Sequence, residues 1–162
     1  MNIVFVPASI VAECVTEADR AFPNETGGTF LGWWSDAATC TVTEMIGPGP
    51  EAEHRPWSFQ PDQGWQLREI ARRYQASGRR LSYLGDWHTH PGARSGTPSA
   101  ADKRVIREII GTPEARCPCP IMIIWHGQPG SWTPTPWQGG VRKRLWGRQV
   151  AMTPVRMTIW QS

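Results

Sequence analysis

Hydrophobic residues recur along the chain with two periods, and the two periods predict three helices and seven strands. Apolar positions three to four residues apart indicate amphipathic helices, each with one buried stripe. The predicted helices are 7–22, 61–77 and 99–110. Runs rich in apolar and β-branched residues indicate strands. The predicted strands are 2–6, 25–34, 39–46, 81–90, 121–125, 141–150 and 155–160.

The order of these elements, β-α-β-β-α-β-α-β-β-β, predicts an α/β fold around a central, largely mixed sheet. The apolar run 121–125 is typical of a strand covered on both faces. Segments 47–57 and 128–140 carry Gly and Pro without periodicity, so both are predicted to be loops. The buried helix positions are predicted to be Ile10, Cys14, Ala18 and Phe22, then Leu67, Ile70, Ala71 and Tyr74, then Val105, Ile106, Ile109 and Ile110. The arginines predicted to face solvent are Arg68, Arg72 and Arg73.

Composition predicts a single domain over residues 1–162. The chain is 40% hydrophobic and 19% charged, and at this length about two-thirds of the unfolded surface can be buried. No apolar run reaches membrane-spanning length, and the apolar start 1–6 lacks a basic leader. The net charge of +3 does not predict a nucleic-acid partner. A basic stretch typical of a solvated strand face comprises Arg142, Lys143, Arg144 and Arg148.

Four cysteines are spread along the chain without a paired C-x-x-C pattern: Cys14, Cys40, Cys117 and Cys119. In the absence of a secretory signal, they are predicted to be reduced thiols in the cytoplasm. Cys117-Pro-Cys119 is close to a metal-binding spacing but has no second pair, so no separate structural zinc is predicted there.

Two histidines one residue apart, His88 and His90, close the strand 81–90. Residues i and i+2 of a strand project from the same face, so both imidazoles are expected to face one point. A Pro-Gly pair ends the strand, and Asp102 lies in the first turn of the next helix. Two imidazole nitrogens and one carboxylate are the pattern of a catalytic zinc, which keeps a fourth position for water.

Ser99 and Asp102 also fit a purely structural role. Ser-x-x-Asp at a helix start is typical of a capping box, in which Ser99 caps the helix and Asp102 reaches back to the backbone. A lone H-x-H is also frequently no more than a hydrogen-bonded pair. The combination of H-x-H at a strand end, a Pro/Gly loop, and Ser and Asp on the next helix favours the metal site.

Hydrolysis by a metal-activated water also needs a carboxylate that accepts the proton of the water. The upstream candidates are Glu13, Glu17, Glu25, Glu44, Glu51 and Glu53. Glu13 and Glu17 are expected to be solvated on a helix flank, and the last three lie inside a strand or in an irregular loop. Glu25 stands before Gly27-Gly28, where small residues let backbones come close. Position alone leaves the choice open but favours Glu25.

Glu25-Thr-Gly-Gly, followed by His88-Thr-His90-Pro, Ser99 and Asp102, resembles the pattern of the JAMM (MPN-plus, or JAB) metalloprotease family. That pattern is a glutamate, a distant H-[ST]-H-P and then S-x-x-D. The resemblance implies the MPN (JAB) fold, a central mixed curved sheet flanked by about three helices. It also implies that His88, His90 and Asp102 bind one catalytic Zn²⁺. By the same resemblance, Glu25 is the general acid/base and Ser99 stabilises the oxyanion.

The loop before Ser99 departs from the family pattern. It runs from Pro91 to Pro98 and has eight residues, where the family commonly has seven. A loop can absorb one residue, and Ser95 is the alternative for the role of Ser99.

Gly-Asp-Trp-His-Thr-His-Pro is most similar to the prokaryotic branch, whose members accompany E1- and E2-like proteins in bacterial ubiquitin-like conjugation, including antiphage defence. This similarity implies hydrolysis of the (iso)peptide bond after the C-terminus of a ubiquitin-like or conjugated protein. The tail would lie along a sheet edge, held by the loops 47–57 and 128–140. Trp132 and Trp137 are candidate substrate contacts, and packing of their loop on the core is the alternative. A non-catalytic MPN scaffold and an enzyme processing a sulfur-carrier protein are the alternative functions.

Overall fold

The computed structural model describes residues 2–145 and 147–161, without the side chain of Arg144. Within these residues, three helices are interspersed among the strands. The strands are β1 (Ile3–Pro7), β2 (Gly27–Trp34), β3 (Thr39–Ile46), β4 (Glu53–Arg55), β5 (Ser58–Gln60), β6 (Ser82–Pro91), β7 (Ile121–Gly127), β8 (Thr133–Arg144), β9 (Gly147–Pro154) and β10 (Arg156–Trp160). The helices are α1 (Ala8–Ala21), α2 (Gln63–Ala76) and α3 (Ala100–Gly111), with a 3₁₀ turn at Pro113–Ala115. The predicted α/β fold with three helices is therefore confirmed.

Eight of the strands form one mixed sheet in the order β10-β1-β3-β2-β6-β7-β8-β9. The pairs β1–β10, β1–β3 and β6–β7 are parallel, and the other neighbours are antiparallel. Strands β9 and β10 stand at opposite ends of this order, yet Val155 alone separates them in the chain. The sheet must therefore curl until its two ends approach each other, which agrees with the predicted curved sheet.

Helices α1 and α3 cover the sheet with separate apolar clusters. Ile10 and Cys14 of α1 are buried in the larger cluster, as predicted, together with side chains of five strands, β1, β2, β3, β6 and β7. Ile106 of α3 is buried against Met122 and Ile124 of β7. Strand β7 is buried along Ile121–Trp125, which confirms a strand covered on both faces.

The four cysteines are free thiols. Cys14, Cys40 and Cys117 are buried, whereas Cys119 is exposed. Burial raises the pKa of Cys40 and of Cys117 to about 12, and it raises the pKa of Cys14 as well. Among the described residues, no helix is long and apolar enough to cross a membrane.

The prediction of a loop at 128–140 is wrong for most of its length, because β8 begins at Thr133. Pro134 and Pro136 concealed this strand in the sequence. They lie two residues apart, so their missing amide protons fall on the same side of β8, and β9 pairs with β8 only from Trp137 onward. A proline is tolerated where a strand has no neighbour to receive its amide. The predicted strand 141–150 is a hairpin made by the end of β8 and the start of β9, and its residue Trp146 lies outside the described residues.

The prediction of an irregular loop at 47–57 is wrong at its end. Strand β4 pairs antiparallel with β5 as a separate two-stranded hairpin, with His54 opposite Phe59. The three-residue strands are too short to show a clear alternation of apolar and polar residues in the sequence. This hairpin stands beside the candidate site described below.

Helix α2 lies where predicted, but its inner face is not the predicted one. Leu67 is 58% exposed, whereas the polar Gln66 is buried. Its buried side-chain amide is satisfied because it donates to the Gly47 carbonyl at 2.8 Å. Arg73, predicted to be solvated, instead donates to Glu44 at 3.0 Å. The inner face of α2 therefore includes polar side chains with specific partners.

Helix α3 also exposes part of its predicted stripe. Val105 is 37% exposed, and Ile109 and Ile110 are half-buried at the edge of the cluster around Ile106. Asp102 is buried in the first turn instead. One side of this helix therefore serves the candidate site.

Candidate active site

Strand β6 presents His88 and His90 on one face. Both side chains are largely buried, with 12% and 14% of their surface exposed. Their Nε2 atoms lie 3.0 Å apart, which is the convergence predicted from the two-residue period. Thr89 between them is completely buried on the opposite face of the strand.

Asp102 completes a group of three side chains of metal-binding type. Its Oδ1 lies 3.0 Å from His88 Nε2, and its Oδ2 lies 3.4 Å from His90 Nε2. Burial alone would raise the pKa of Asp102, but hydrogen bonds from the two imidazoles outweigh it and hold this pKa far below its usual value. Among the described residues, these three make up the group that could hold a metal ion.

The two imidazole nitrogens and the Asp102 carboxylate lie about as far from one another as the ligands around one tetrahedral metal ion. Neighbouring ligand atoms are roughly 3.3 Å apart when each bond to the metal is about 2.0–2.1 Å long. The two imidazole nitrogens are 3.0 Å apart, and each lies 3.0–3.4 Å from a different oxygen of the Asp102 carboxylate, which is close to that value. The donor set thus points to a metal ion with two imidazole ligands and one carboxylate ligand.

Ser99 caps α3 through a complete capping box. Its hydroxyl accepts from the Asp102 amide at 3.2 Å, and Asp102 Oδ2 accepts from the Ser99 amide at 2.6 Å. The capping role and the metal role of Asp102 are therefore not alternatives, because the cap holds the carboxylate in place beside the histidines. Ser99 faces the same cleft as Glu25.

A reciprocal pair of hydrogen bonds fixes the segment after Glu25 beside β6. The Thr26 amide donates to Thr89 Oγ1 at 2.9 Å, and the Thr89 amide donates to the Thr26 carbonyl at 2.9 Å. The Thr26 hydroxyl also donates to Glu17 at 3.0 Å. Glu17 was predicted to be solvated, but only 13% of its side chain is exposed. The middle residue of the H-T-H motif thus positions the glutamate segment.

Gly27 and Gly28 allow β2 to approach its neighbours closely. A Cβ atom on Gly27 would lie 2.4 Å from the Trp87 carbonyl oxygen, and one on Gly28 would lie 1.9 Å from the Ile46 carbonyl oxygen. No side chain fits at such distances. The close approach expected from the two glycines is therefore present, and it brings Glu25 to the metal-binding group.

Of the six candidate glutamates, Glu25 is the one that lines the cleft with the histidines. Burial raises its pKa, and Asp102 adds to this, while His88 and His90 oppose it. Glu44 instead pairs with Arg73. This shift brings the pKa of the Glu25 carboxyl group closer to neutral pH, and a group whose pKa lies near the working pH exchanges protons best.

The cleft has a volume of about 450 Å³ and two distinct walls. The β4–β5 hairpin contributes residues 56–59, and Trp57 in its turn is 89% exposed. Helix α3 contributes Ala101 and Val105. The open shape and the apolar rim are suited to an extended peptide segment.

Asp86 also faces the cleft and was not singled out from the sequence. It precedes His88 by two residues on β6, so the same period that paired the histidines could have identified it. Burial raises its pKa to about 6, although the Tyr83 hydroxyl donates to it at 2.7 Å and opposes this effect.

The two predicted substrate contacts do not line this cleft. Trp132 donates to Asp19 at 2.7 Å and packs edge-on against Phe22, with ring centroids 6.4 Å apart. Trp137 donates to the Gly96 carbonyl at 2.8 Å. It thereby holds the loop between His90 and Ser99 against β8. Their role in substrate binding remains a prediction.

The eight-residue loop leads directly to Ser99. Gly96 lies so close to β8 that a Cβ atom would stand 2.5 Å from Thr135 Oγ1. Ser95 is exposed, pairs with Thr97 at 3.1 Å and does not line the cleft. Position therefore favours Ser99 over Ser95.

Comparisons with known proteins agree with this geometry. Residues 7–138 match the family described as prokaryotic homologs of the JAB domain. A relative from Sinorhizobium fredii, named probable metalloprotease y4qB, is 47% identical over 143 residues, which cover 88% of this chain and 87% of the relative. The CD-NTase/cGAS isopeptidase of Enterobacter hormaechei subsp. hoffmannii is 32% identical over 128 residues, which cover 78% of this chain and 68% of that protein.

A solved structure supports the fold independently. The solution structure of protein DSY2949 from Desulfitobacterium hafniense matches with a TM-score of 0.70 and covers 98% of this chain and 94% of that one. Its sequence identity of 20% makes this a likeness of fold alone. The matched family covers most of the chain, and the protein therefore belongs to the prokaryotic JAB-domain family.

Proposed function

We propose that this protein is a zinc-dependent isopeptidase or peptidase that cleaves the bond after the C-terminus of a ubiquitin-like or conjugated protein. Relatives named metalloprotease and isopeptidase support a metal-dependent hydrolase. The observation that carries the proposal is the meeting of Glu25 and Ser99 with His88, His90 and Asp102 in one cleft. The proposed partners are E1- and E2-like proteins of a bacterial ubiquitin-like conjugation pathway. Antiphage defence is one such pathway.

His88, His90 and Asp102 would hold the zinc ion. A zinc ion bound there supplies a water of lowered pKa and polarises the carbonyl of the scissile bond. The protein contributes the rigid placement of the ligands: both histidines stand on β6, and the capping box with Ser99 restrains Asp102. Prepositioned ligands need no rearrangement when the substrate arrives.

Glu25 is the proposed general base and acid. It would take a proton from the attacking water and deliver it to the leaving nitrogen. Its half-buried position, which raises its pKa, favours both halves of this exchange. Among the described residues, the Glu25 carboxylate has no hydrogen-bonding side chain that would compete for the proton.

Ser99 is the proposed donor to the oxyanion of the tetrahedral intermediate. Its oxygen already accepts the Asp102 amide at 3.2 Å, while in the described part of the chain its own proton has no acceptor. The hydroxyl is therefore free to donate into the cleft. One such donor is typically worth about 2.7–4 kcal/mol of transition-state stabilisation.

Cleavage of a fusion between a ubiquitin-like protein and a reporter tests this function. The zinc-loaded protein is expected to cleave the fusion, a chelator to stop cleavage, and added zinc to restore it. Glu25→Gln is expected to lose activity but to keep zinc, whereas His88→Ala loses both. Glu13→Gln, an exposed glutamate on α1, is the matched control and should behave as wild type.

Two outcomes of this assay would contradict the proposal. Full activity of Glu25→Gln would eliminate the proposed base. A folded protein that binds no zinc and cleaves nothing would instead indicate a non-catalytic scaffold. Replacing the ubiquitin-like protein by a sulfur-carrier protein in the same fusion separates the two substrate classes.

A further inference from the structure

The β4–β5 hairpin binds the backbone of Glu25 on both sides. The Glu25 amide donates to the Arg55 carbonyl at 2.8 Å. The Glu25 carbonyl accepts from His54 Nδ1 at 2.9 Å. The backbone of this residue is thus held by the hairpin, while its neighbour Thr26 is held by β6.

His54 is itself restrained by the inner face of the hairpin. It stands opposite Phe59, and their rings are 5.5 Å apart and tilted by 33°. Phe59 in turn packs over Gly27, where an added Cβ atom would lie 3.0 Å from its ring. Glu53 and Arg55 face outward and are exposed. The hairpin therefore docks on the Glu25–Gly27 segment through His54 and Phe59.

The side chain of Glu25 depends on this backbone contact for its direction. No hydrogen bond to the Glu25 carboxylate is found among the described residues, so its orientation follows from how its own backbone is held. A carbonyl oxygen only accepts, so His54 must carry its proton on Nδ1 to make the contact. The Glu25 carbonyl and the Thr26 amide belong to one peptide plane, so without this hydrogen bond that plane would keep only the bond from the Thr26 amide to Thr89 Oγ1 and could tilt about it.

We infer that His54 is a positioning residue that holds Glu25 in its working orientation. This inference rests on the proposed role of Glu25 as the general base. His54 does not touch the metal-binding group, and it acts through the backbone of Glu25. The β4–β5 hairpin thus serves both as a wall of the cleft and as the support of the base.

Steady-state cleavage of the fusion by the zinc-loaded full chain tests the inference. His54→Ala is expected to lower kcat by about 10- to 100-fold, because a shift of about 1 Å in a catalytic group costs that much. KM is expected to stay within about twofold, since the cleft wall remains in place. Zinc affinity is expected to be unchanged, because none of the ligands is disturbed.

Two further variants separate positioning from a general structural effect. His54→Asn retains a side-chain N–H near the position of Nδ1 and is expected to restore kcat to within about threefold of wild type. Arg55→Ala alters the next residue of the hairpin but keeps its carbonyl, and it should match wild type. Introduced into Glu25→Gln, His54→Ala should change the residual rate by less than about twofold, since it acts through Glu25.

Amide hydrogen exchange gives a readout that does not depend on activity. The Glu25 amide should exchange faster in His54→Ala and regain its protection in His54→Asn. Unchanged kcat in His54→Ala, alongside an inactive Glu25→Gln, would overturn the inference and leave the proposed function standing. A zinc-binding His54→Asn variant as slow as His54→Ala would also overturn it. If the wild-type protein cleaves nothing, the proposed function fails and the inference falls with it.

Discussion

Replacing Thr89 with Val is expected to loosen the join between β6 and the segment that carries Glu25. Thr89 Oγ1 accepts from the Thr26 amide at 2.9 Å, and both threonines are completely buried. Valine has nearly the same shape as threonine but cannot accept a hydrogen bond. Thr89→Val therefore leaves the Thr26 amide buried without this partner, and it creates no cavity.

The expected loss follows from the cost of that single unpaired group. A buried donor left without its acceptor costs about 1–3 kcal/mol. With a urea dependence of about 2 kcal/mol per molar, the midpoint of unfolding should fall by about 0.5–1.5 M. Urea titration followed by tryptophan fluorescence measures this midpoint directly.

Thr29 on β2 provides a matched control with the opposite expectation. It is 5% exposed, and its hydroxyl has no hydrogen-bond partner among the described atoms. Thr29→Val makes the same chemical change but removes an unsatisfied polar group, so the free energy of unfolding should stay the same or rise. Equal midpoints for Thr89→Val and Thr29→Val would refute the role given to the Thr89 hydroxyl.

Three further predictions concern backbone approach, burial and charge. Gly28→Ala should lower the free energy of unfolding by about 1–3 kcal/mol or more, because the new methyl would meet the Ile46 carbonyl oxygen at 1.9 Å. A Cβ atom on Gly111 would have no neighbour within 4 Å, so Gly111→Ala should raise the free energy of unfolding by up to about 1 kcal/mol. Equal urea midpoints for Gly28→Ala and Gly111→Ala would contradict this account. Iodoacetamide should modify Cys119 alone in the folded protein and all four thiols after unfolding, as counted by mass spectrometry, because the other three are buried with raised pKa values. Asp86→Asn should stabilise the metal-free protein more at about pH 7.5 than at about pH 4.5. Burial raises the pKa of the Asp86 carboxyl group to about 6, so the wild-type protein loses stability as this group ionises with rising pH. An equal stabilisation by Asp86→Asn at both pH values would refute this.

Local sequence patterns were sufficient to predict that the three metal-binding side chains lie together. The two-residue period of β6 placed His88 and His90 on one face, and the helix start at Ser99 placed Asp102 in the first turn of α3. Each of these is a short-range property of the backbone. For that reason the three side chains could be expected to meet before any long-range contact was known.

The inner face of α2 could not be predicted in the same way. The spacing of apolar residues favoured Leu67, but the buried side chain is Gln66, whose partner is the Gly47 carbonyl nineteen residues earlier in the chain. A buried polar group becomes acceptable only once its partner is in place. Hydrophobic period alone predicts that a helix forms, but it does not reveal such partners.

The hairpin was missed for a related reason. Its strands have three residues each, and its stability depends on contacts of His54 and Phe59 with the segment around Glu25. The sequence of residues 53–60 contains no pattern that predicts those contacts. The role of His54 therefore became visible only in the structure.

The alternation of β6 has a consequence for changes in chain length. His88 and His90 face the cleft while Thr89 faces inward and is tied to Thr26, so inserting or deleting one residue within this strand would exchange the two faces. The imidazoles would then point into the core. The loop that follows is different, because its described anchors lie at Gly96, where Trp137 and Thr135 meet it. We expect natural and engineered variants to differ in length after His90 but to keep the length of β6 up to His90 fixed.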